Sequence, residues 1–598
     1  MRYYLEQLPF VQYAKQILAL ELWWPVPLIL VGVLRILEPL WVTVAIGLVL
    51  VPWVTRWLVL GRLTHPAIVG GTLALLGFSG LVGVWVSYDP NLSWPLCFTL
   101  LGSIALFFAI VNTHISSWRV SQGLVLAAFL IACYFVGQYD HFDYPLEVGR
   151  LADLGRTTGS LLPDLVFFTP HPNAVAGFLE GAVFLSGVLT QQGDKRKRIV
   201  WSLVLVLIAY GLLISGSRGA WVGLAVAGLI WVVWFRSGRS WQLGMAIIGL
   251  TVVLLAILVM TWFLPTLWSI PAVTSAIETA ASRLTLYRNS LYLWSDYPYT
   301  GIGLGDTFAL VYSHYQLLLH VPFLTYSHNL FLSVVLGLGV LGLISLVWLL
   351  VSFYTFVVQA EKFGLDQKCQ ALFRAALLGV TVIFIHGLTD SPQFAGSGWT
   401  MPMLFGLMGV AVVSGRQALA ESQAWSIPKR ILILLIIIVG IILIGFWQPL
   451  LSGWYVNLGA LHQTQAELSP NLNDSARTQE IQLAIADFTY ALKLNPEQPA
   501  AHRRLGLIAF RQEDYNTAIV YLEKAYQQEP DNQVTLKALG YAYMWTGRLT
   551  TAENLLRHLD NQAGLVHELD DWSGWLKSQG QTVLSTYAAK MAQQLTAQ

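Results

Sequence analysis

The sequence predicts an all-α protein: a polytopic transmembrane helical bundle of about 12–13 spans with a large extracytoplasmic loop, then a soluble α-solenoid. Three observations predict it. Of the 598 residues, 56% are hydrophobic and only 11% are charged, whereas an ordinary soluble protein carries about 25% charged residues. Apolar runs long enough to span a bilayer recur from the start of the chain to Trp447. From about Leu450 the composition turns to that of soluble helices and becomes periodic.

Candidate spans lie near 22–37, 39–60, 67–86, 96–113, 122–139, 172–190, 199–215, 219–235, 243–264, 329–358, 372–390, 400–414 and 431–447. The first has Glu21 and Arg35 at its ends. No small-residue cleavage site precedes it, so it is expected to serve as its own signal. Lys195, Arg196, Lys197 and Arg198 form the strongest basic cluster, which marks that loop as cytoplasmic. Alternating spans from it puts Arg56, Arg62, Arg119, Arg236, Arg239, Lys362, Lys368, Lys429 and Arg430 on the same side. The N-terminus is then cytoplasmic. The 140–171 loop, the Gly216–Gly219 turn, the 265–327 loop and everything after Trp447 lie outside. Cys97, Cys133 and Cys369 sit in or beside apolar runs and outline neither a disulfide framework nor a cysteine metal site. The chain divides into a membrane domain, 1–448, and a repeat domain, 449–598.

In the repeat domain Leu505-Gly506 returns as Leu539-Gly540, Ala484 as Ala518, Ala491 as Ala525, and Asn495-Pro496 as Glu529-Pro530. This spacing resembles tetratricopeptide repeats. Two units are clear, 498–531 and 532–565. A partial earlier unit, 455–496, is interrupted by the polar Ser469–Thr478 insert, and 568–595 reads as a capping helix. Such a stack offers a concave groove that binds or positions a partner.

The large loop holds most of the chemistry. Ser282–Trp294 carries apolar residues at helical spacing and reads as an amphipathic helix. Arg283 and Arg288 are about 140° apart around it, so only one can face a given phosphate. Gly301, Gly303 and Gly305 break the helix, and GIGLG has no parallel-sheet unit around it to make a nucleotide fingerprint. His328 follows Ser327, a good N-cap, and opens the next apolar run. A helix N-terminus disfavours imidazolium, which suits a general base; the alternative is an interfacial histidine bonded to a loop carbonyl. Asn329 either orients the ring or caps the helix.

Arg218, in Gly-Ser-Arg-Gly, starts a helix whose amides already favour anions, as a diphosphate clamp would require; the alternative is an arginine snorkelling to headgroups. Arg156 and Asn173 flank the sixth span and could meet a phosphate and a sugar, or be loop punctuation. Asp140, His141, Asp143 and Glu147 fit no strong metal motif and read as a solvated acidic loop. His386 and Asp390 end a span on the outer side, pairing with an outer arginine or with each other.

Taken in order, R-x-T-G at 156–159, H-P-N at 171–173, G-S-R-G-A-W at 216–221, R-L-x-x-Y-R at 283–288 with D-Y-P-x-x-G-I-G to 303, and S-H-N-L at 327–330 resemble the O-antigen ligase and polymerase superfamily of membrane glycosyltransferases. The resemblance covers roughly 40–415. It implies transfer of a glycan from a polyprenyl-diphosphate carrier to an acceptor hydroxyl. The reaction would run at the extracytoplasmic face of a bacterial cytoplasmic membrane, with no metal or other cofactor. Arg218 and Arg283 or Arg288 would hold the diphosphate, and His328 would act on the acceptor or leaving group. Tyr287 stands where relatives often have Trp, and the repeat tail is absent from plain lipopolysaccharide ligases. The acceptor is therefore open: lipid, growing polysaccharide or protein. A transporter would instead show polar residues at the midplane and broken helices in paired halves. A membrane-anchored scaffold would need neither Arg218 nor His328.

Overall fold

The computed structural model describes residues 9–65, 67–142, 150–191, 194–231, 271–319, 324–363, 365–420, 440–441 and 444–596. Among them there is no strand. The membrane part contains α1 (Pro9–Ala19), α2 (Val26–Val33), α3 (Pro39–Leu60), α4 (Gly70–Trp85), α5 (Pro90–Asn112), α6 (Ser117–Gln138), α7 (Arg150–Gly159), α8 (Pro172–Gln191), α9 (Lys195–Ile214) and α10 (Arg218–Ile230). After the large loop come α13 (Leu330–Phe363), α14 (Gln367–His386) and α15 (Met401–Ala420). Seven of the described helices are long and apolar enough to cross a membrane, and α4, α10 and α15 are shorter apolar helices.

Local chemistry sets these boundaries. Pro39 opens α3 after extended Glu38, and Gly61 closes it at φ +66. Asp89, Asp194 and Asp366 cap α5, α9 and α14 by accepting from backbone N–H groups two or three residues on. The first expected span, 22–37, is not formed. The chain turns at Leu20–Pro25, and α2 has 8 residues, too short to cross. Glu21 is the reason on the charge side: it is buried at the bend and paired with Arg56 of α3. The expected span at 243–264, most of the one at 431–447 and the end of 219–235 lie outside the described residues.

The loop supplies α11 (Pro271–Asp296) and α12 (Thr307–Tyr315). Between them, the glycine run is wedged into the bundle. α13 breaks at Gly339 (φ +64), where the Tyr299 carbonyl comes so close that a Cβ would sit 2.1 Å from it. Ile302 N–H donates to the Leu336 carbonyl at 2.6 Å and Val340 N–H to that of Pro298 at 3.1 Å. The GIGLG stretch is thus a backbone lock that ties the loop to α13.

Four helix pairs complete the chain: α16 (Trp447–Leu468) with α17 (Asp474–Leu494), α18 (Pro499–Arg511) with α19 (Tyr515–Gln528), α20 (Gln533–Trp545) with α21 (Leu549–Leu556), and α22 (Gln562–Ser578) with α23 (Thr582–Thr596). The repeated glycines let partner helices touch: a Cβ on Gly506 or Gly540 would lie 2.6 Å from Leu522 or Leu556. Residues 568–595, expected as one capping helix, belong instead to a full helix pair turned at Gly580. The polar insert is closed by Arg477, which donates to the carbonyls of Ala466, Ser469 and Leu472.

The repeats do not stand free. Their first helices present a face that is taken up by the chain's own residues 288–317. Buried Asp296 pairs with Arg503 and Arg504. Arg504 also receives the face of Tyr297, whose hydroxyl lies beside Thr464. Asn457 holds Tyr299 and Thr300. Glu467 joins His314 to Arg511, and Lys537 reaches the Leu317 carbonyl at 2.7 Å. Where a groove for a partner was expected, the protein has folded its own loop. This interface sets the repeats directly against the loop.

Candidate active site

His328 stands at the turn into α13 with φ +50. A non-glycine residue in that left-handed region is uncommon, and such strain collects at functional sites. The turn is fixed from several sides. Asn329, not Ser327, is the cap: its Oδ1 accepts from Phe331 and Leu332 N–H at 3.0 and 3.1 Å. Its Nδ2 donates to the Leu388 carbonyl at 2.9 Å. The Tyr287 hydroxyl donates to the His328 carbonyl at 2.7 Å. The Ser327 hydroxyl instead lies 2.9 Å from that of Ser333, which meets Ser391 at 2.7 Å.

Behind the imidazole lies Asp390. Its Oδ1 is 3.4 Å from His328 Nδ1, and its side chain is 1% exposed. Asn173 donates to Oδ2 at 2.5 Å and Ser391 N–H to Oδ1 at 2.8 Å. Burial alone would raise this acid. The hydrogen bond and charge of His328, the charge of His386 and a hydrogen bond from Tyr326 outweigh burial and hold the carboxyl below the usual range. Tyr326 is the counterpart: burial, then the Asp390 charge, push its phenol up, so it stays a donor. Its ring lies 4.3 Å from the imidazole. An ionised Asp390 calls for the Nδ1–H tautomer of His328 and leaves the lone pair on Nε2.

A second buried chain fixes Arg218. Glu180, fully buried in α8, lies 3.1 Å from Nδ1 of His386. Nε2 of His386 lies 3.3 Å from the Ser217 hydroxyl. Gly219 admits this contact, since a Cβ there would sit 2.6 Å from the His386 ring and 2.5 Å from the Thr389 hydroxyl. The Ser-Arg-Gly motif therefore places Arg218 in the first turn of α10, against the 386–390 segment that also carries Asp390. Arg218 is exposed and has no ion pair among the described residues.

On α11, Arg283 lies one turn before Tyr287. It is half-buried, has no ion pair among the described residues, and its charge reaches Tyr287, Tyr326 and His386. Arg288, on another side of the helix, pairs with Asp560 of the repeats. The structure thus sets His328 and Asn173 on Asp390 and Asn329 at the same turn, starts α10 at Arg218 beside the 386–390 segment, leaves Arg283 one turn from Tyr287, and pairs Arg288 with the repeats. Asn173, expected to meet a sugar, has its Nδ2 committed to Asp390. Arg156 rides on α7, which packs on the 139–141 turn, and it lies 3.3 Å from Asp153. His141 faces the Leu162 carbonyl at 2.9 Å; Asp143 and Glu147 lie outside the described residues. Among the described residues no three His, Cys, Asp or Glu side chains form a metal cluster. Among the described residues the His386 and Asp390 side chains pair neither with an arginine nor with each other: His386 meets Glu180 and Asp390 meets His328.

No motif in the sequence marks Glu180 or Tyr326, and none gives Asp390 a role. Glu180 had a signal, since it is the one acid inside an otherwise apolar span, and such residues default to a functional assignment. Chemically, the cluster can take a proton from a hydroxyl at Nε2 of His328 and hold an anion between two arginines.

Residues 203–347 match the O-antigen ligase family, and residues 509–566 match a tetratricopeptide repeat family. No curated protein matches the chain. The two matches agree with the superfamily and the domain order read from the motifs, and they support a multi-pass membrane protein with glycosyltransferase-like function. The ligase match spans Arg218, Arg283 and His328 and stops short of Asp390.

Proposed function

We propose that this protein transfers a saccharide from a polyprenyl-diphosphate carrier to an acceptor hydroxyl at the extracytoplasmic face of a bacterial cytoplasmic membrane. The observation that supports it most is the convergence of Arg218, Arg283 and the His328–Asp390 pair around one short segment, 386–390. His328 Nε2 removes the acceptor proton, and the acceptor oxygen bonds to the anomeric carbon. The bond from that carbon to the diphosphate breaks, and the carrier diphosphate leaves with its charge held by the arginines. An arginine–phosphate pair at about 4 Å gains a few kcal/mol at an effective dielectric of about 20. The diphosphate ester supplies the driving force, so no nucleotide enters, and the chain's own groups fill each role without a metal.

Ligation to a lipid, polymerisation, and transfer to a protein share this chemistry and differ in acceptor. The test is Arg218→Ala and His328→Ala in the native host, following surface glycan and carrier-linked glycan together. Both variants are expected to insert normally, lose the surface product and accumulate the donor. Normal product in both rejects the reaction. Product of altered length favours polymerisation over ligation.

A further inference from the structure

The side of α11 that carries Thr285 and Asn289 faces away from Tyr287 and Arg283, by about 120–160° around the helix. On that side lies a cavity of about 410 Å³ between the loop and the repeats. Its walls include Asn289, Tyr312 and Gln316 from the loop and Gln533, Glu568 and Asp571 from the repeats. Leu318 and Leu324 line it as an apolar floor with Leu319 at the exposed rim, and Leu324 is four residues before His328. The volume falls in the range of about 300–1,000 Å³ usual for small-ligand sites. Asn289 is buried beside the Tyr312 hydroxyl, and its Oδ1 has no well-directed partner among the described residues. A buried carbonyl left so is costly and invites a donor.

The lining selects the ligand. Its cations are already committed: Lys537 to Glu568 and to the Leu317 carbonyl, and Arg288, at the edge, to Asp560. Among the described lining residues a diphosphate or a free carboxylate terminus would face Asp560, Glu568 and Asp571, against the paired Lys537 and a single histidine, His567. Amides and carboxylates over a leucine floor suit a ligand with hydroxyl donors on its edges and C–H groups on its faces. We propose that this cavity is a saccharide-binding subsite that holds part of a glycan chain beside, and apart from, the reacting unit.

The proposal rests on the glycosyl-transfer reading, and the test separates the two. The probe is the phosphate-free oligosaccharide that mild acid releases from the cells' own carrier-linked donor, titrated into the full-length protein in nanodiscs and followed by saturation-transfer NMR. Wild type and His328→Ala are expected to bind it equally. Leu319→Trp, at an exposed rim position, and Asn289→Leu should weaken binding at least about tenfold. Inorganic pyrophosphate should not compete. Absence of binding by wild type, unchanged affinity in both variants, or displacement by pyrophosphate overturns the subsite. If His328→Ala keeps full transfer while the oligosaccharide still binds, the reaction fails and the subsite stands. If His328→Ala accumulates donor and wild type does not bind the oligosaccharide, the subsite alone fails.

Discussion

Asp390→Asn tests the imidazole's support most closely. It keeps the side-chain shape and removes the negative charge 3.4 Å from Nδ1 of His328. Two unit charges about 4 Å apart interact by about 4 kcal/mol at an effective dielectric of about 20. Part of this is retained, because the amide oxygen keeps its partial negative charge about 3.4 Å from Nδ1. The new NH2 group then meets the Asn173 amide, which now donates to Oδ2 and must turn over to accept. A net loss of about 2–3 kcal/mol in the transition state corresponds to a fall in kcat of about 30–150-fold. KM for the carrier-linked donor should change little, because the arginines that would hold it are untouched. The assay is transfer of radiolabelled carrier-linked saccharide by the purified protein, with His328→Ala and the double variant alongside. Asp390 acts through His328, so the double variant should be no slower than His328→Ala alone. A loss below about threefold, or independent multiplying losses in the double variant, would refute the dyad.

Arg283→Ala should slow transfer by about 10²-fold or more through lost anion stabilisation, whereas Arg288→Ala should cost less than about tenfold; steady-state kinetics of the two variants checks the difference. Asp296→Ala leaves Arg503 and Arg504 buried without their shared acid, a loss of about 3–5 kcal/mol, so the repeats should become sensitive to limited proteolysis at the α11 junction. Burial raises Glu467, but the Arg511 charge and the His314 hydrogen bond outweigh it and hold its pKa at about 2 against the usual 4.5. Its stabilisation, about 3 kcal/mol, is therefore complete above the unfolded pKa and is lost as pH falls toward 2, with about 2 kcal/mol gone by pH 3. Thermal melts at pH 6 and pH 3 should show a larger drop for wild type than for Glu467→Gln.

The membrane bundle was legible because apolar length is a local property of sequence. The same rule failed at 22–37, where two prolines and an acid needing Arg56 bend the chain, a pairing 35 residues away that no window can see. Arg218, Arg283 and His328 were legible as motif residues. The buried acids behind the site were not, since Asp390 lies some sixty residues after His328 and Glu180 pairs with His386 more than two hundred residues on. Arg283 and Arg288 were separable in the sequence by a helical angle alone, whereas the Arg288–Asp560 pair joins residues 272 apart. The repeats were readable from their period, yet their occupied face was not. That depends on buried charges at Asp296, Arg503 and Arg504, which a sequence displays as ordinary solvated residues.

The most direct measurement is release of polyprenyl diphosphate by the reconstituted protein. Proteoliposomes loaded with labelled carrier-linked saccharide and supplied with acceptor should free the carrier diphosphate in step with saccharide transfer, and His328→Ala should do neither. Carrier release by His328→Ala at the wild-type rate, or transfer without release, would contradict the account.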